Sequence, residues 1–567
     1  MATEPAVLGL HVGLNSSAAL VTLDGDLVWA EQEERHSRQK NHCGFPTQAV
    51  RAATDHATHT GLHLEHVAVG GRTVFAHDVD RAGLLDAYRR VFDAMIAGDT
   101  GNPDPGHTER GQRFVRDRVH ELLPNRPQVR FFDHHHCHAA AAYHFLREDD
   151  APYLVVTLDG EGDGQSGSVW VGEHGQLERI ASTSRDASAG LLYFWVTYLL
   201  GLQPHEDEHK VMGLAGHVEP ALARALGSKL FSPLLDVDPD TLQLVVPRGP
   251  STSWLQHLDD QCRRVRFDHL AGAVQSFVEG LATRLVAAAV AKTRVRRVLL
   301  SGGVAMNVKL NRAVRLLDEV EVLDVMPSAG DESLSIGAAY LAATDAAGHG
   351  LKPARPSLYT GTDLTADDTR AALDHARGIG CRVVAEAGEA AQVAATALAR
   401  GELVAVCAGR GEFGARALGH RSLLANPASP AAVANLNTAV KQRDFWMPFA
   451  PVMFEHRAAE LLTDYDGRPS RWMAHAYAAL HDERIRGAVH TADWTCRPQI
   501  LDTTSDEPVA EILHLVDQQA DLPALVNTSL NQHGEPIART ALDAIRLLGR
   551  TPLRYLLLGD RLLEQPV

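Results

Sequence analysis

Two stretches of this chain, residues 7–30 and 154–180, are written to the same plan. The first reads as strand, Gly/Asn turn, strand, an Asp24-Gly25 turn, and strand. The second reads as strand, the Gly-rich turn Asp159-Gly160-Glu161-Gly162-Asp163-Gly164, strand, a Gly175-Gln176 turn, and strand. Helical stretches follow each. The pattern implies an internal duplication of a unit with three strands and helices, which restricts the first half of the chain to an α/β fold with two lobes. The second copy closes with a buried strand at 298–301, which runs through Gly302 and Gly303 toward Asn307. A further turn, Gly330-Asp331, leads into an Ala-rich helix.

At 567 residues the chain is too long for one core. Residues 348–360 hold two glycines and two prolines and read as a linker, which places a boundary near 358 and gives domains 1–357 and 358–567. The net charge of −17 argues against nucleic acid or an anionic membrane as the main partner. Six scattered cysteines without a Cys-x-x-Cys pair suit a reducing, cytoplasmic setting. Residues 1–6 carry no leader-like pattern, and the apolar run at 281–300 is broken by Arg284, Lys292, Arg294, Arg296 and Arg297, so no membrane span is expected.

The densest cluster of reactive side chains is Asp133-His134-His135-His136-Cys137-His138. His134 and His138 are four apart and share one helical face, a spacing that grips a metal ion, and Asp133 suits the N-cap. The alternative is a histidine-rich helix start. Asp159 and Asp331, each in a Gly-rich turn, are the carboxylates available to complete a site. The turns at 9–19 and at Ser301-Gly302-Gly303 are candidate phosphate cradles, because such turns expose backbone N–H groups. Paired in two copies, they point to the actin/sugar-kinase architecture, with Asn307 near a nucleotide cleft. Lys40 reads as a point charge for a phosphate or as part of a solvated charge run. Asp207 and Glu208 read as a cleft edge carrying a general base or as acids at a helix start. Beyond 358, Arg416, Lys441 with Arg443, Arg497 and Asn527 fall in four separated motifs beside Gly or Pro turns, suited to a polyphosphate or acyl phosphate.

The order of these blocks resembles the ATP-dependent O-carbamoyltransferases of the NodU/CmcH type, which decorate antibiotics and nodulation factors. The blocks include Glu33-Glu34-Arg35, Lys210-Val211-Met212-Gly213-Leu214-Ala215, Arg416-Ala417-Leu418-Gly419-His420-Arg421-Ser422, Pro448-Phe449-Ala450-Pro451 and Asn527-Thr528-Ser529. The resemblance implies an N-terminal domain of the actin-like (ASKHA), tRNA threonylcarbamoyl-transferase-like fold and an α+β, YrdC-like C-terminal domain. It implies that carbamoyl phosphate and ATP, with Mg2+, give carbamoyl adenylate in the second domain. The first domain then carbamoylates a hydroxyl of a small natural product, with iron in its cleft.

By position, His134, His138, Asp159 and Asp331 match the family's metal ligands, and Arg416, Lys441, Arg497 and Asn527 its donor contacts. Two histidines and two carboxylates suit Fe(II) or Zn(II). Leu14 stands where the family usually has a histidine proposed as base, leaving His11, Asp207 or Glu208 for that role. Met447 replaces a frequent arginine, leaving Arg443 to serve. The expected partners are carbamoyl phosphate, ATP and a hydroxylated acceptor, with a homodimer as a candidate assembly. Acceptor specificity is expected from residues 72–112 and 191–205, including Phe194, Trp195 and Tyr198. Competing readings are a sugar or small-molecule kinase, a tRNA threonylcarbamoylation-type enzyme, and a metal-binding module without turnover.

Overall fold

The computed structural model describes residues 4–74, 107–247, 254–353 and 357–566. The chain forms two compact units: residues 1–37 with 41–357, and residues 38–40 with 358–567.

The first unit is built on two five-stranded sheets of one topology. In the first, β1 (Glu4–His11), β2 (Ser17–Thr22), β3 (Leu27–Gln32), β4 (Leu62–Gly70) and β5 (Gln128–Phe132) lie in the order β3-β2-β1-β4-β5. In the second, β6 (Tyr153–Gly162), β7 (Gln165–Glu173), β8 (Gln176–Ser184), β9 (Arg297–Ser301) and β10 (Val322–Val325) lie in the order β8-β7-β6-β9-β10. In both, the first three strands form an antiparallel meander, and the last two run parallel to the first. The duplicated pattern in the sequence is therefore a duplicated sheet within an α/β unit. Residues 6–11 of β1 are all buried, as a central strand covered on both faces requires.

Helix α1 (His134–Leu146) starts where Asp133 caps it, its carboxylate accepting the His136 N–H at 3.0 Å. Helix α2 (Phe267–Thr293) is continuous over 27 residues. By length and composition alone it could cross a membrane, and it is mostly buried inside the unit, as a core helix is. Arg284 and Lys292 are exposed, while Leu270, Val274, Leu281 and Leu285 are buried. Helix α3 (Leu334–Ala347) lies on β1 and on α1 at glycine contacts. A Cβ at Gly9 would stand 1.9 Å from Ser335 O, and one at Gly337 would stand 1.9 Å from Cys137 O. These approaches fix the turn at the start of α3, which carries Asp331, beside α1.

The second unit is an α+β body with an eight-stranded mixed sheet. Strands Val404–Cys407 and Arg421–Ala425 pair antiparallel near its middle. Val404, Val406 and Leu424 enter one core; Ala405, Cys407, Leu423 and Ala425 enter another. The period of two thus buries both faces of the sheet. All six cysteines are free and buried.

Candidate metal centre and anion cluster

In the first unit, His134 and His138 come from one face of α1, Asp159 from the end of β6, and Asp331 from the turn before α3. The Nε2 atoms of the two histidines are 3.1 Å apart. His134 Nε2 lies 3.1 Å from Asp159 and 3.6 Å from Asp331, and His138 Nε2 lies 3.8 Å and 3.4 Å from the same carboxylates. One donor atom from each residue falls within 4.8 Å of all the others. A tetrahedral ion with bonds of about 2.1 Å has ligand–ligand edges of about 3.4 Å. The four donors fit such an ion, and imidazole with carboxylate suits Fe(II), Zn(II) or a similar divalent cation.

The electrostatics agree. Burial alone would depress the His134 imidazole, yet Asp331 and Asp159 outweigh it and raise its pKa to about 9. His138 is raised by the same carboxylates against the same burial. Burial would lift Asp159, but its histidine neighbours hold it well below the carboxylate range. One buried and one half-buried carboxylate thus draw positive charge to the site, which a divalent cation supplies.

Supporting groups shape the centre. A Cβ at Gly162 would lie 2.2 Å from the His134 ring, so this turn needs glycine. Gly302, at φ 90°, brings the backbone within reach of Leu158 O. The Gly303 N–H then donates to Asp159 Oδ1 at 2.7 Å. The expected phosphate cradle therefore spends this donor on a metal-site carboxylate. Asp163, which sequence reasoning missed, accepts the His134 N–H at 2.9 Å and the Thr73 N–H at 2.8 Å. Its signal was the third acid in the 159–164 turn. His135 bonds Thr157 at 2.8 Å, and burial, aided by His134 and His138, lowers its pKa to about 3. His136 stacks on Trp170 at 4.6 Å. Neither belongs to the ligand set.

The other sequence candidates separate. His11 lies in the field of Asp331, His134 and His138. Asp207 is held by Lys210 at 3.1 Å and by the Gln203 N–H at 3.0 Å. Glu208 accepts the His205 N–H at 2.7 Å, and burial raises its carboxyl to about 7. Asn307 caps the helix Val308–Arg315 and exchanges hydrogen bonds of 3.0 and 2.8 Å with Gln275. Lys40, grouped with the nucleotide cleft from sequence, belongs to the second unit and acts on the charge of Lys441. Of the acceptor segment 72–112, residues 75–106 lie outside the described residues.

The second unit gathers cations. Burial, then Arg416, lowers Arg443 to about 10. Burial, then Arg416 and Arg443, pushes Arg497 well down. A guanidinium does not give up its proton, so the three stay charged and repel. Arg443 bonds Thr528 Oγ1 at 3.0 Å and lies over Phe449. Arg497 Nη1 is buried without a partner among the described residues. Lys441 donates to Asn531 Oδ1 at 2.6 Å and to Ser529 O, Asn531 O and Ser529 Oγ at 2.9–3.1 Å. It clamps the 529–531 turn and has no donor to spare for a ligand.

Asn527 completes the cluster. The Gln499 amide donates to Leu418 O at 2.8 Å, which turns its oxygen to Asn527 Nδ2, also at 2.8 Å. The Asn527 oxygen is left buried and without a partner among the described residues. The cluster thus offers a ligand both surplus positive charge and one open acceptor.

Residues 113–230 and 254–340 match the family described as Carbamoyltransferase N-terminus, and residues 395–565 match Carbamoyltransferase C-terminus. The chain belongs to the carbamoyltransferase family. The first match contains all four metal-site residues, and the second contains Arg416, Lys441, Arg443, Arg497 and Asn527. This carbamoyltransferase is 27% identical to nodulation protein NolNO of Sinorhizobium fredii over 97% of its own length and 79% of the relative's. It is 35% identical to nodulation protein U of Azorhizobium caulinodans over 42% of the chain and 40% of that protein. Among solved structures, HypF of T. kodakarensis is 14% identical with a TM-score of 0.34, covering 61% of this carbamoyltransferase and 48% of HypF.

Proposed function

We propose that the protein is an ATP-dependent O-carbamoyltransferase that tailors a hydroxyl of a small natural product. The second unit, read as YrdC-like, takes carbamoyl phosphate, one water and MgATP to carbamoyl adenylate: water cleaves carbamoyl phosphate to carbamate and phosphate, a carbamate oxygen attacks the α-phosphorus of ATP, and pyrophosphate leaves with the bonding electrons. In the first unit the acceptor hydroxyl attacks the carbamoyl carbon, AMP leaves with the bonding electrons, and a base takes the hydroxyl proton.

The observation that carries this reading is the unpartnered pair in the second unit, Arg497 Nη1 and Asn527 Oδ1. Carbamoyl phosphate carries anionic oxygens for guanidinium groups and an amide N–H for an acceptor. A simple phosphate would satisfy the first and leave the second open.

In the first unit His134, His138, Asp159 and Asp331 would hold iron, zinc or another divalent cation, whose chemistry when bound is Lewis-acid polarisation of an oxygen. Gly303 and Asp163 orient the ligating groups. His11 is the base: its ring lies beside the centre, whereas Asp207 is tied to Lys210 and Glu208 to a backbone N–H.

The test supplies carbamoyl phosphate, MgATP and a panel of sugars, nucleosides, macrolides and aminoglycosides. Expected products are AMP, pyrophosphate and an acceptor heavier by one carbamoyl group. ADP with a phosphorylated acceptor would replace this reading with a kinase.

A further inference from the structure

Two buried amides of the second unit meet across a strand. Asn527 lies on the strand Ala524–Ser529 and Gln499 on the strand Gln499–Leu501, and the strand Ala450–Phe454 runs between them. Asn527 stands opposite Ala450, and Gln499 opposite Val452. Opposed residues, and alternate residues along one strand, share a face of the sheet. The two amides therefore stand on the same face, and the small Ala450 side chain leaves them room to bond at 2.8 Å.

Neither amide can be turned round. Leu418 O accepts from Gln499 Nε2 at 2.8 Å and from the Tyr359 hydroxyl at 2.9 Å, and the Leu418 N–H donates to Glu412 Oε1 at 2.8 Å. Leu418 is thus held through both its N–H and its carbonyl, and a carbonyl only accepts. Gln499 must face it with its NH2 and show Asn527 its oxygen. Asn527 must give that oxygen its own NH2, which also reaches Ala417 O at 3.3 Å. A flipped Asn527 would set its oxygen against two acceptors. The Asn527 oxygen is therefore committed to a third direction, where it is buried and has no partner among the described residues. Ala417 follows Arg416, and Gln499 lies two residues after Arg497, so the amide pair is anchored beside the arginines of the anion cluster.

An acceptor fixed in this way tells acyl phosphates apart by one group. Carbamoyl phosphate carries an N–H on its carbonyl carbon. Acetyl phosphate has the same phosphate and carbonyl, but its methyl group leaves the acceptor buried and unpaired. We propose that Gln499 is a specificity-determining positioning residue: it fixes the Asn527 amide so that the site takes a carbamoyl phosphate and disfavours an acyl phosphate without an N–H. This rests on the reading of the second unit as the donor site.

Phosphonoacetamide and 2-oxopropylphosphonate are non-hydrolysable counterparts of carbamoyl and acetyl phosphate that differ only in NH2 against CH3. Titration calorimetry of the full chain should show phosphonoacetamide binding tighter by about 10–10²-fold, the cost of an unpaired buried acceptor. Gln499→Met keeps the side-chain volume and removes both hydrogen bonds. It should weaken phosphonoacetamide until the two ligands bind within a few-fold of each other, with 2-oxopropylphosphonate unchanged. Asn527→Ala, a smaller disturbance of the core, should remove the preference in the same way. A parent that binds the two ligands equally, or a preference kept in either variant, would overturn the proposal. Equal weakening of both ligands in Gln499→Met would do so too, since it marks a merely structural role. Failure of the donor-site reading shows separately, as a parent that binds neither ligand, and takes this inference with it.

Discussion

The Nε2 atom of His11 lies 3.0 Å from the carbonyl oxygen of Leu14. A carbonyl only accepts, so Nε2 carries the proton and Nδ1 is the bare nitrogen. That Nδ1 is buried without a partner among the described residues. Burial also holds the imidazole below its usual range, against the pull of Asp331, so the ring is neutral near pH 7. The Leu14 main chain therefore sets the tautomer of a base at residue 11, and the Leu14 side chain has no part in it. His11→Ala should lower kcat for transfer by about 10²–10⁴-fold. Leu14→Val should leave it unchanged. Steady-state kinetics of the two variants check the assignment, and equal losses in both would remove it.

The metal centre and the anion cluster belong to different units, so their variants should fail at different steps. His138→Ala removes a ligand that is fully buried. It should abolish carbamoyl transfer while carbamoyl adenylate still forms. Arg416→Ala weakens the cluster that also contains Arg443 and Arg497. It should stop adenylate formation but leave the use of supplied adenylate intact. Quenched-flow product analysis separates the half-reactions. Loss of the same step in both variants would refute the division of labour.

The turn at Gly162 allows a test that alters no charge. A Cβ there would lie 2.2 Å from Cγ of His134, far inside contact distance, and β6 is too well packed to retreat. Gly162→Ala should therefore rotate His134 away from Asp159 and lower the bound metal severalfold, with the far-ultraviolet circular dichroism unchanged. Metal content by mass spectrometry decides it; full occupancy would mean that the turn relaxes.

The duplicated sheet was legible because each strand triplet marks its turns with Gly and Asp, and the α1 cap was legible from Asp133. Asp331 was read into one site with His138, but the packing that brings the two together was not legible. It depends on Gly9 and Gly337, whose partners, Ser335 and Cys137, are distant in sequence. Sequence also shows which groups can donate, not which are already used. Gly303 and Lys441 both read as phosphate contacts, yet one is bonded to Asp159 and the other to the 529–531 turn. Asn307, read as lying near a nucleotide cleft, also caps the helix Val308–Arg315. The charges that break the apolar run at 281–300 do not break the helix, because α2 sets Arg284 and Lys292 outward.

The repulsion among Arg416, Arg443 and Arg497 has a cost to the fold that an anion relieves. Arg497→Met removes a positive charge that burial, Arg416 and Arg443 all oppose, and keeps an apolar stem of similar length. Without phosphate ligands the variant should be more stable than the parent, by about 1 kcal/mol or about 2–4 °C in Tm for a unit of this size. Carbamoyl phosphate should raise the parent's Tm and leave the variant's unchanged. Differential scanning fluorimetry with and without carbamoyl phosphate reads both effects. A variant less stable than the parent would show that Arg497 is a structural cation.

The metal centre should give the protein a pH-dependent stability whose sign depends on the metal. In the metal-free state the His134 pKa is about 9, against an ordinary value of 6.5. A folded-state pKa raised in this way contributes stability that is complete below about 6.5 and is lost as pH rises through 9. Asp159 and Asp331, depressed below 3.8, contribute stability that is present above that value and is lost as pH falls through their folded pKa values. Chelated protein should therefore be most stable near pH 4–6 as far as this site is concerned, with Tm falling from pH 6.5 to 9. A bound cation takes the place of the histidine protons, so zinc-loaded protein should show no such fall, and zinc affinity should rise across the same interval as fewer protons remain to be displaced. Thermal unfolding of chelated and zinc-loaded samples across pH 5–9 measures both slopes. Parallel curves for the two samples would mean that these four residues do not hold the ion.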